Sequence, residues 1–237
     1  MTPIYIIAEI ASAHNGNPLL AKKLLNCAVE TGADAVKFQI FKRQNLLSSF
    51  HESYDQFESL EISFNEWDKI LLEASEYDID LIIEPFDIDS LEFAKKYNFV
   101  SGYKVPTSDI GNDDLISQIS YTGKNIYLGA GGATKEELSY AINLIENITN
   151  LSEIILMHGF QNFPTKVEDS NLARIDYLRK CFNRPVGYAD HTDSEDQLMS
   201  NMIPCLSVFS GASTIEKHIT LNREEKGPDY YSSFNPD

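Results

Sequence analysis

The sequence predicts a (β/α)8 barrel, and three observations carry that prediction. Eight short β-branched runs alternate with longer amphipathic stretches, the signature of parallel βαβ units. The strands begin at residues 4, 35, 80, 102, 125, 153, 185 and 212, so all but one unit takes 22 to 32 residues. No Gly-rich dinucleotide fingerprint follows the first strand, which favours a closed barrel over an open doubly wound sheet.

In chain order, the first strand is Ile4–Ile10, an apolar run interrupted by Glu9, and a helical pattern follows at 18–31. The second strand, Ala35–Ile40, leads into the single long unit of 45 residues, where 41–62 reads as an inserted polar loop. In a barrel that insertion lies at the C-terminal face, where sites are built. The helix at 64–77 has a start signal in Ser63 three residues before Glu66. The strands Asp80–Phe86 and Gly102–Pro106 follow, with helices at 90–97 and 112–121. The strand Asn125–Gly129 precedes a helix at 134–148, whose Thr134 and Glu137 form a capping-box pattern. The strand Glu153–His158 precedes a helix at 171–182, with Asp169-Ser170 as its start signal. The strand Pro185–Asp190, a helix at 195–206 and the strand Ala212–Thr220 complete the barrel. The segment 221–237 runs through Gly227-Pro228 and Asn235-Pro236 with no helical pattern, so an eighth helix is not expected there.

With 237 residues and 43% hydrophobic content the chain reads as one barrel domain spanning 1–237. It carries 19 Lys+Arg against 36 Asp+Glu, a net charge of −17, which disfavours nucleic acid and anionic membrane as partners. No stretch approaches the length of apolar residues that spans a bilayer, and Met1-Thr2-Pro3 lacks the basic start of a signal peptide. Three scattered cysteines, Cys27, Cys181 and Cys205, argue for a reducing, cytoplasmic setting.

Ionisable residues gather near the strand ends: Glu9, Lys37 with Gln39, Glu84, Lys104, Asp190-His191 and Glu216-Lys217-His218. Buried charges cost several kcal/mol each unless paired or ligand-bound, so their recurrence on many strands marks a site. His191 and His218 end neighbouring strands, where two imidazoles suit a divalent ion with open positions; the alternative is two hydrogen-bonded core histidines. Period-two alternation puts Glu216 on the face of His218, as a partner that would orient the ligand, and Lys217 on the other. Lys37 and Lys104 read either as a clamp for phosphate or carboxylate, or a Schiff-base nucleophile, or as buried salt bridges to Glu9 or Glu84. Gly129–Gly132 ahead of Thr134 reads as a phosphate-cradling helix start or a plain βα turn. His14-Asn15-Gly16 reads as turn chemistry or a substrate contact.

Taken in order, Ala8-Glu9-Ile10, His14-Asn15-Gly16, the run from Gly32 to Gln39, Pro85-Phe86-Asp87, Tyr103-Lys104, Pro164-Thr165, the run from Gly187 to Thr192, Gly211-Ala212-Ser213, the run from Ile215 to His218 and Gly227-Pro228-Asp229 resemble the sialic acid synthase family. These enzymes condense phosphoenolpyruvate with an N-acetylated amino sugar to give a nonulosonic acid and phosphate. The resemblance implies a (β/α)8 barrel and a divalent metal, Mn²⁺ or Mg²⁺, on His191 and His218. It assigns Lys37 and Lys104 to phosphoenolpyruvate, with Thr107 assisting. It assigns Glu9 and Gln39 to the sugar or its reacting end, Asp109 to the place of a family glutamate, and Asp229 to the sugar. His14, Glu84, Gln161 and Asp190 occupy further substrate-lining positions of the pattern. It also implies small-molecule substrates and a homodimer.

Several positions depart from the pattern. Glu84 stands where the family has Ser or Thr, Gly129-Ala130-Gly131 where it has Ser-Thr-Gly, Gln161 and Phe163 where it has Asn and Tyr, and Ala189 where it has Ser. The family's C-terminal antifreeze-like domain has no counterpart in these residues. The expected function is therefore the metal-dependent condensation. The alternatives are a divergent barrel that binds a sugar or sugar nucleotide without condensing it, or a Schiff-base aldolase.

Overall fold

Eight parallel strands close into a barrel in chain order, each hydrogen-bonded to the next and the last to the first. The structure, a computed structural model, describes residues 3–236. The strands are β1 (Tyr5–Glu9), β2 (Ala35–Ile40), β3 (Asp80–Pro85), β4 (Val100–Val105), β5 (Asn125–Gly129), β6 (Ile154–His158), β7 (Val186–Asp190) and β8 (Thr214–His218). The helices outside them are α1 (Pro18–Glu30), α2 (Arg43–Leu46), α3 (Tyr54–Leu60), α4 (Phe64–Ala74), α5 (Ile88–Ala94), α6 (Asp113–Ser120), α7 (Lys135–Ile148), α8 (Ala173–Phe182) and α9 (Gln197–Phe209).

Alternation along each strand sorts the side chains into two cores. Ile7, Ala35, Ile82, Tyr127, Ile155, Met157 and Ala189 point inward and fill the lower barrel. Val36, Phe38, Ile83, Leu128 and Leu156 point outward and pack under the helices. Trp67 of α4 is nearly sealed in that outer layer, edge-on to Phe38 at 5.2 Å, and Trp67→Ala would cost about 3–5 kcal/mol. With the barrel floor packed by apolar side chains, the inward charges of the next layer have nowhere to go but the C-terminal mouth.

Two start signals act as predicted. Ser63 accepts the Glu66 N–H, and Thr134 and Glu137 form a reciprocal capping box. The third does not: α8 begins after Leu172 with no side-chain cap, and Asp169 sits in a 3-10 turn, Val167–Asp169. The insertion is also not a plain loop, because α2 and α3 form within it. Phe57 of α3 packs edge-on against Phe41, an aromatic contact that supplies what the polar segment lacks in pattern.

Among the described residues no α-helix follows β8. Instead the chain turns through Arg223–Glu225 and returns to place Phe234 in a parallel bridge with Ile219, just past the strand. The Thr220 N–H donates to the Phe234 carbonyl and the Phe234 N–H to the His218 carbonyl, each at 2.9 Å. The Phe234 ring faces the Lys217 ammonium at 4.2 Å. No helix of the described residues is long and apolar enough to cross a membrane.

Candidate active site

Strand register builds the site. Glu9 pairs with Lys37 on one side and His218 on the other, and Gln39 pairs with Glu84, so four strands deliver inward polar groups to one level. They line a cavity of about 140 Å³ at the barrel mouth, together with Lys104, Glu216, His191, Gln161 and Asp229.

At its base lies a buried ionic cluster. The Lys37 ammonium lies among three carboxylates, Glu9 at 2.5 Å, Glu84 at 2.8 Å and Glu216 at 2.9 Å. Lys104 donates to both Glu216 oxygens at 3.0 Å. Burial alone would raise the Glu216 and Glu84 carboxyls, but the two ammonium groups overcome it and hold both below the usual range. Burial pushes Lys37 down against the pull of Glu216 and Glu84, whereas at Lys104 the same carboxylates outweigh burial and the ammonium is held up. Lys37 thus forms the expected salt bridges to Glu9 and Glu84 and a further one to Glu216, whereas Lys104 pairs with Glu216 and with neither expected partner. Gln39 donates to Glu84 at 3.2 Å, and the Ala11 N–H fixes Glu9 at 2.6 Å.

The two histidines face the same cavity, with ring centres 5.2 Å apart. Burial lowers His191 to about 4 and drives His218 well below its ordinary value, so both are neutral near pH 7. The His191 Nδ1 lies 3.0 Å from the Phe160 carbonyl, to which it donates, leaving Nε2 with its lone pair. The His218 Nδ1 is buried with no hydrogen-bond partner. A neutral pair with one ring oriented by a carbonyl and one orphaned nitrogen fits a divalent cation. Among the described residues no cluster of three His, Cys, Asp or Glu could hold a metal, so protein ligands beyond the two histidines are lacking.

Several expected roles are corrected. Glu216 does not orient His218; its oxygens are taken by Lys37 and Lys104, because two ammonium groups attract a buried carboxylate more than a neutral ring does. Asp190 is fully buried on the outer face of the barrel, where it accepts from Lys217 at 2.6 Å and from the Thr192 hydroxyl at 2.5 Å, and it does not line the cavity. His14 is buried against Trp67 and accepts the Gly16 N–H at 3.0 Å, so it is a turn residue. Asp109 lies on the 3-10 turn Thr107–Asp109, bonded to Asn112, and does not line the cavity. Thr107 also lies outside the lining; its hydroxyl is buried and unpartnered, over Gly129. A Cβ on Gly129 would stand 2.5 Å from the Thr107 nitrogen, which explains glycine there.

Asp229 reaches the cavity from the returning tail, and its Oδ2 accepts the Ser12 N–H at 3.0 Å. Burial raises its carboxyl. Sequence reasoning missed Ala11, Ser12 and Pro106 as lining residues and named Phe163 only as a departure from the family pattern. Phe163 covers His191 at 4.3 Å between ring centres.

Residues 24–237 match the NeuB family. An N,N'-diacetyllegionaminic acid synthase of Campylobacter jejuni is 31% identical over 100% of this chain and 73% of its own length. An uncharacterized protein of Methanocaldococcus jannaschii is 36% identical over 99% of the chain and 67% of its own. The solved N-acetylneuraminic acid synthetase of Leptospira borgpetersenii, in complex with citrate, superposes with a TM-score of 0.90 at 29% identity, covering 99% of this chain and 79% of that one. The expected family and barrel are thus shown: the chain belongs to the NeuB family, whose relatives here include named nonulosonic acid synthases.

Proposed function

We propose that the protein condenses phosphoenolpyruvate with the open-chain form of a 2-acetamido sugar to give a nonulosonic acid and phosphate. The observation that carries this reading is the meeting, in one cavity, of two neutral histidines with the lysine–carboxylate cluster. His191 and His218 would hold Mn²⁺ or Mg²⁺, which when bound supplies Lewis acidity toward the sugar's aldehyde oxygen.

The chain's own groups supply the rest. Lys104 has Glu216 as its one carboxylate partner among the described residues and holds its charge, so it is the cation available to the donor's anionic end. C3 of phosphoenolpyruvate bonds to the aldehyde carbon, water adds at C2, and phosphate leaves with its bridging oxygen by C–O cleavage. Glu9, fixed by the Ala11 N–H and by Lys37, is placed to steer the water and accept its proton. Gln39, Gln161 and Asp229 also line the cavity and offer the sugar its hydrogen bonds. A Schiff-base route is disfavoured because a nucleophilic lysine must be neutral and free to attack, while Lys104 is held charged and Lys37 is enclosed by three carboxylates. A homodimer in the cytoplasm belongs to the same reading; the free thiols of Cys27, Cys181 and Cys205 suit such a setting.

The test is phosphate release from phosphoenolpyruvate with Mn²⁺ and a panel of acetamido-hexoses. Release with at least one sugar is expected, and none with any would overturn the proposal. The three carboxylates around Lys37 favour one second reading, sugar binding without condensation, in which calorimetry detects metal binding but no phosphoenolpyruvate binding.

A further inference from the structure

A second cavity, of about 380 Å³, lies outside the barrel wall between the ends of β5 and β6 and the start of α8. Alternation along β6 sends Met157 inward and His158 outward, so this space is separated from the condensing cavity by the strand itself. His158 is 3% exposed. Its Nε2 sits 3.0 Å from the Ser170 carbonyl and therefore carries the hydrogen, which leaves Nδ1 as a buried lone pair with no partner. Burial lowers its pKa, so the ring stays neutral. Arg174 donates one terminal nitrogen to the Ala130 and Ala133 carbonyls at 3.1 and 2.6 Å, and its Nε is likewise buried and unpartnered. An orphaned acceptor and an orphaned donor on one cavity are rare in native proteins without something that satisfies both.

The remaining walls define what that something is. Gly131 and Gly132 present bare backbone, and a Cβ on Gly131 would stand 1.6 Å from the Gly159 oxygen. Glu168 and Asp169 line the rim, and neither has an ion-pair partner among the described residues. Phe160, 46% exposed, adds an aromatic face. A phosphate would meet Arg174 but also the two rim carboxylates and the His158 lone pair, all of which repel it. A zwitterion suits every wall: a carboxylate for Arg174, an ammonium N–H for His158 Nδ1 under the countercharge of Glu168 and Asp169, and a side chain for Phe160.

We propose that this cavity binds a free α-amino acid. The experiment is calorimetric titration of the intact protein with each of the common amino acids and, separately, with inorganic phosphate. H158Q keeps an N–H for Ser170 while deleting the Nδ1 lone pair, and R174K keeps a cation for the two carbonyls while deleting Nε. Because those residues are buried or half-buried, the exposed pair E168Q/D169N is the third variant, whose folding is not at risk. At least one amino acid should bind, at least tenfold more weakly in H158Q and R174K and several-fold more weakly in E168Q/D169N. Failure of every amino acid to bind, binding indifferent to all three variants, or binding of phosphate in place of amino acids would each overturn the proposal.

Discussion

Replacing Glu84 tests the electrostatics of the condensing cavity directly. The cluster contains three carboxylates, Glu9, Glu84 and Glu216, against two ammonium groups, Lys37 and Lys104, a formal charge of 2 − 3 = −1. Lys37 already has three carboxylates beside it, at 2.5, 2.8 and 2.9 Å, so an incoming phosphoryl group must compete with them for the ammonium. A phosphoryl oxygen about 4–5 Å from a Glu84 carboxylate would be repelled by about 3–4 kcal/mol per unit charge at an effective permittivity of ~20. E84Q removes that charge at constant shape and balances the cluster at two against two. Part of the gain is offset by the weaker hold on Lys37, so the expected floor is a tenfold tighter phosphoenolpyruvate Kd, about 1.4 kcal/mol. E84T should do at least as well, since it also vacates space beside Lys37 and offers a hydroxyl. The measurement is calorimetric Kd for phosphoenolpyruvate in wild type and both variants, with circular dichroism to verify folding. Unchanged or weaker donor binding in both folded variants would refute the reasoning, and would mean that Glu84 is structural or that the donor carries no phosphate.

The metal site should fail when either imidazole is removed: H191A or H218A leaves one protein ligand, and calorimetry should show tight Mn²⁺ binding lost in each while the far-UV spectrum is retained. Stability should fall on acidification from about pH 6.5 toward 4. His14 and His191 are each lowered by burial from 6.5 to about 4, so in that window the unfolded chain binds protons that the folded one does not. Each difference is worth about 3 kcal/mol once pH is below both values, and H14Q should flatten the decline of Tm with falling pH. An unchanged slope in folded H14Q would count against a buried neutral His14.

The barrel was legible because its signal is distributed: eight alternations at near-regular spacing survive the misreading of any one helix end. Side-chain partnership was legible only where alternation decides it. Lys217 was correctly placed on the outer face, and the register that pairs it with Asp190 carries the correction for Asp190 too, since residues paired on neighbouring strands share a face. Glu216 was harder. Alternation put it inside with His218, but which inward neighbour it meets depends on distances across the barrel, and Lys104 lies on a strand 112 residues away in sequence. The helices α2 and α3 were hidden because neither has a side-chain cap hydrogen bond and both lean on contacts such as Phe41 with Phe57. Asp229 was reached through the resemblance alone, because a left-handed residue in an irregular tail has no period to betray it.

The charge of the cluster leads to an order of binding. At −1 the cluster opposes a phosphorylated donor in the empty site, and the neutral histidines add nothing to offset it. A divalent cation on His191 and His218 would bring the local sum to 2 − 1 = +1. Close charges in a desolvated site couple by about 1.5–7 kcal/mol, so the ion should raise donor affinity by at least tenfold. By reciprocity phosphoenolpyruvate should raise Mn²⁺ affinity by the same factor. E84Q starts from a neutral cluster, and its donor binding should depend on metal less than that of wild type. Calorimetry of phosphoenolpyruvate with and without Mn²⁺ in both proteins closes the cycle. Equal metal dependence in wild type and E84Q would show that Glu84 and the ion act on different parts of the donor, and the charge-balance account of this site would be abandoned.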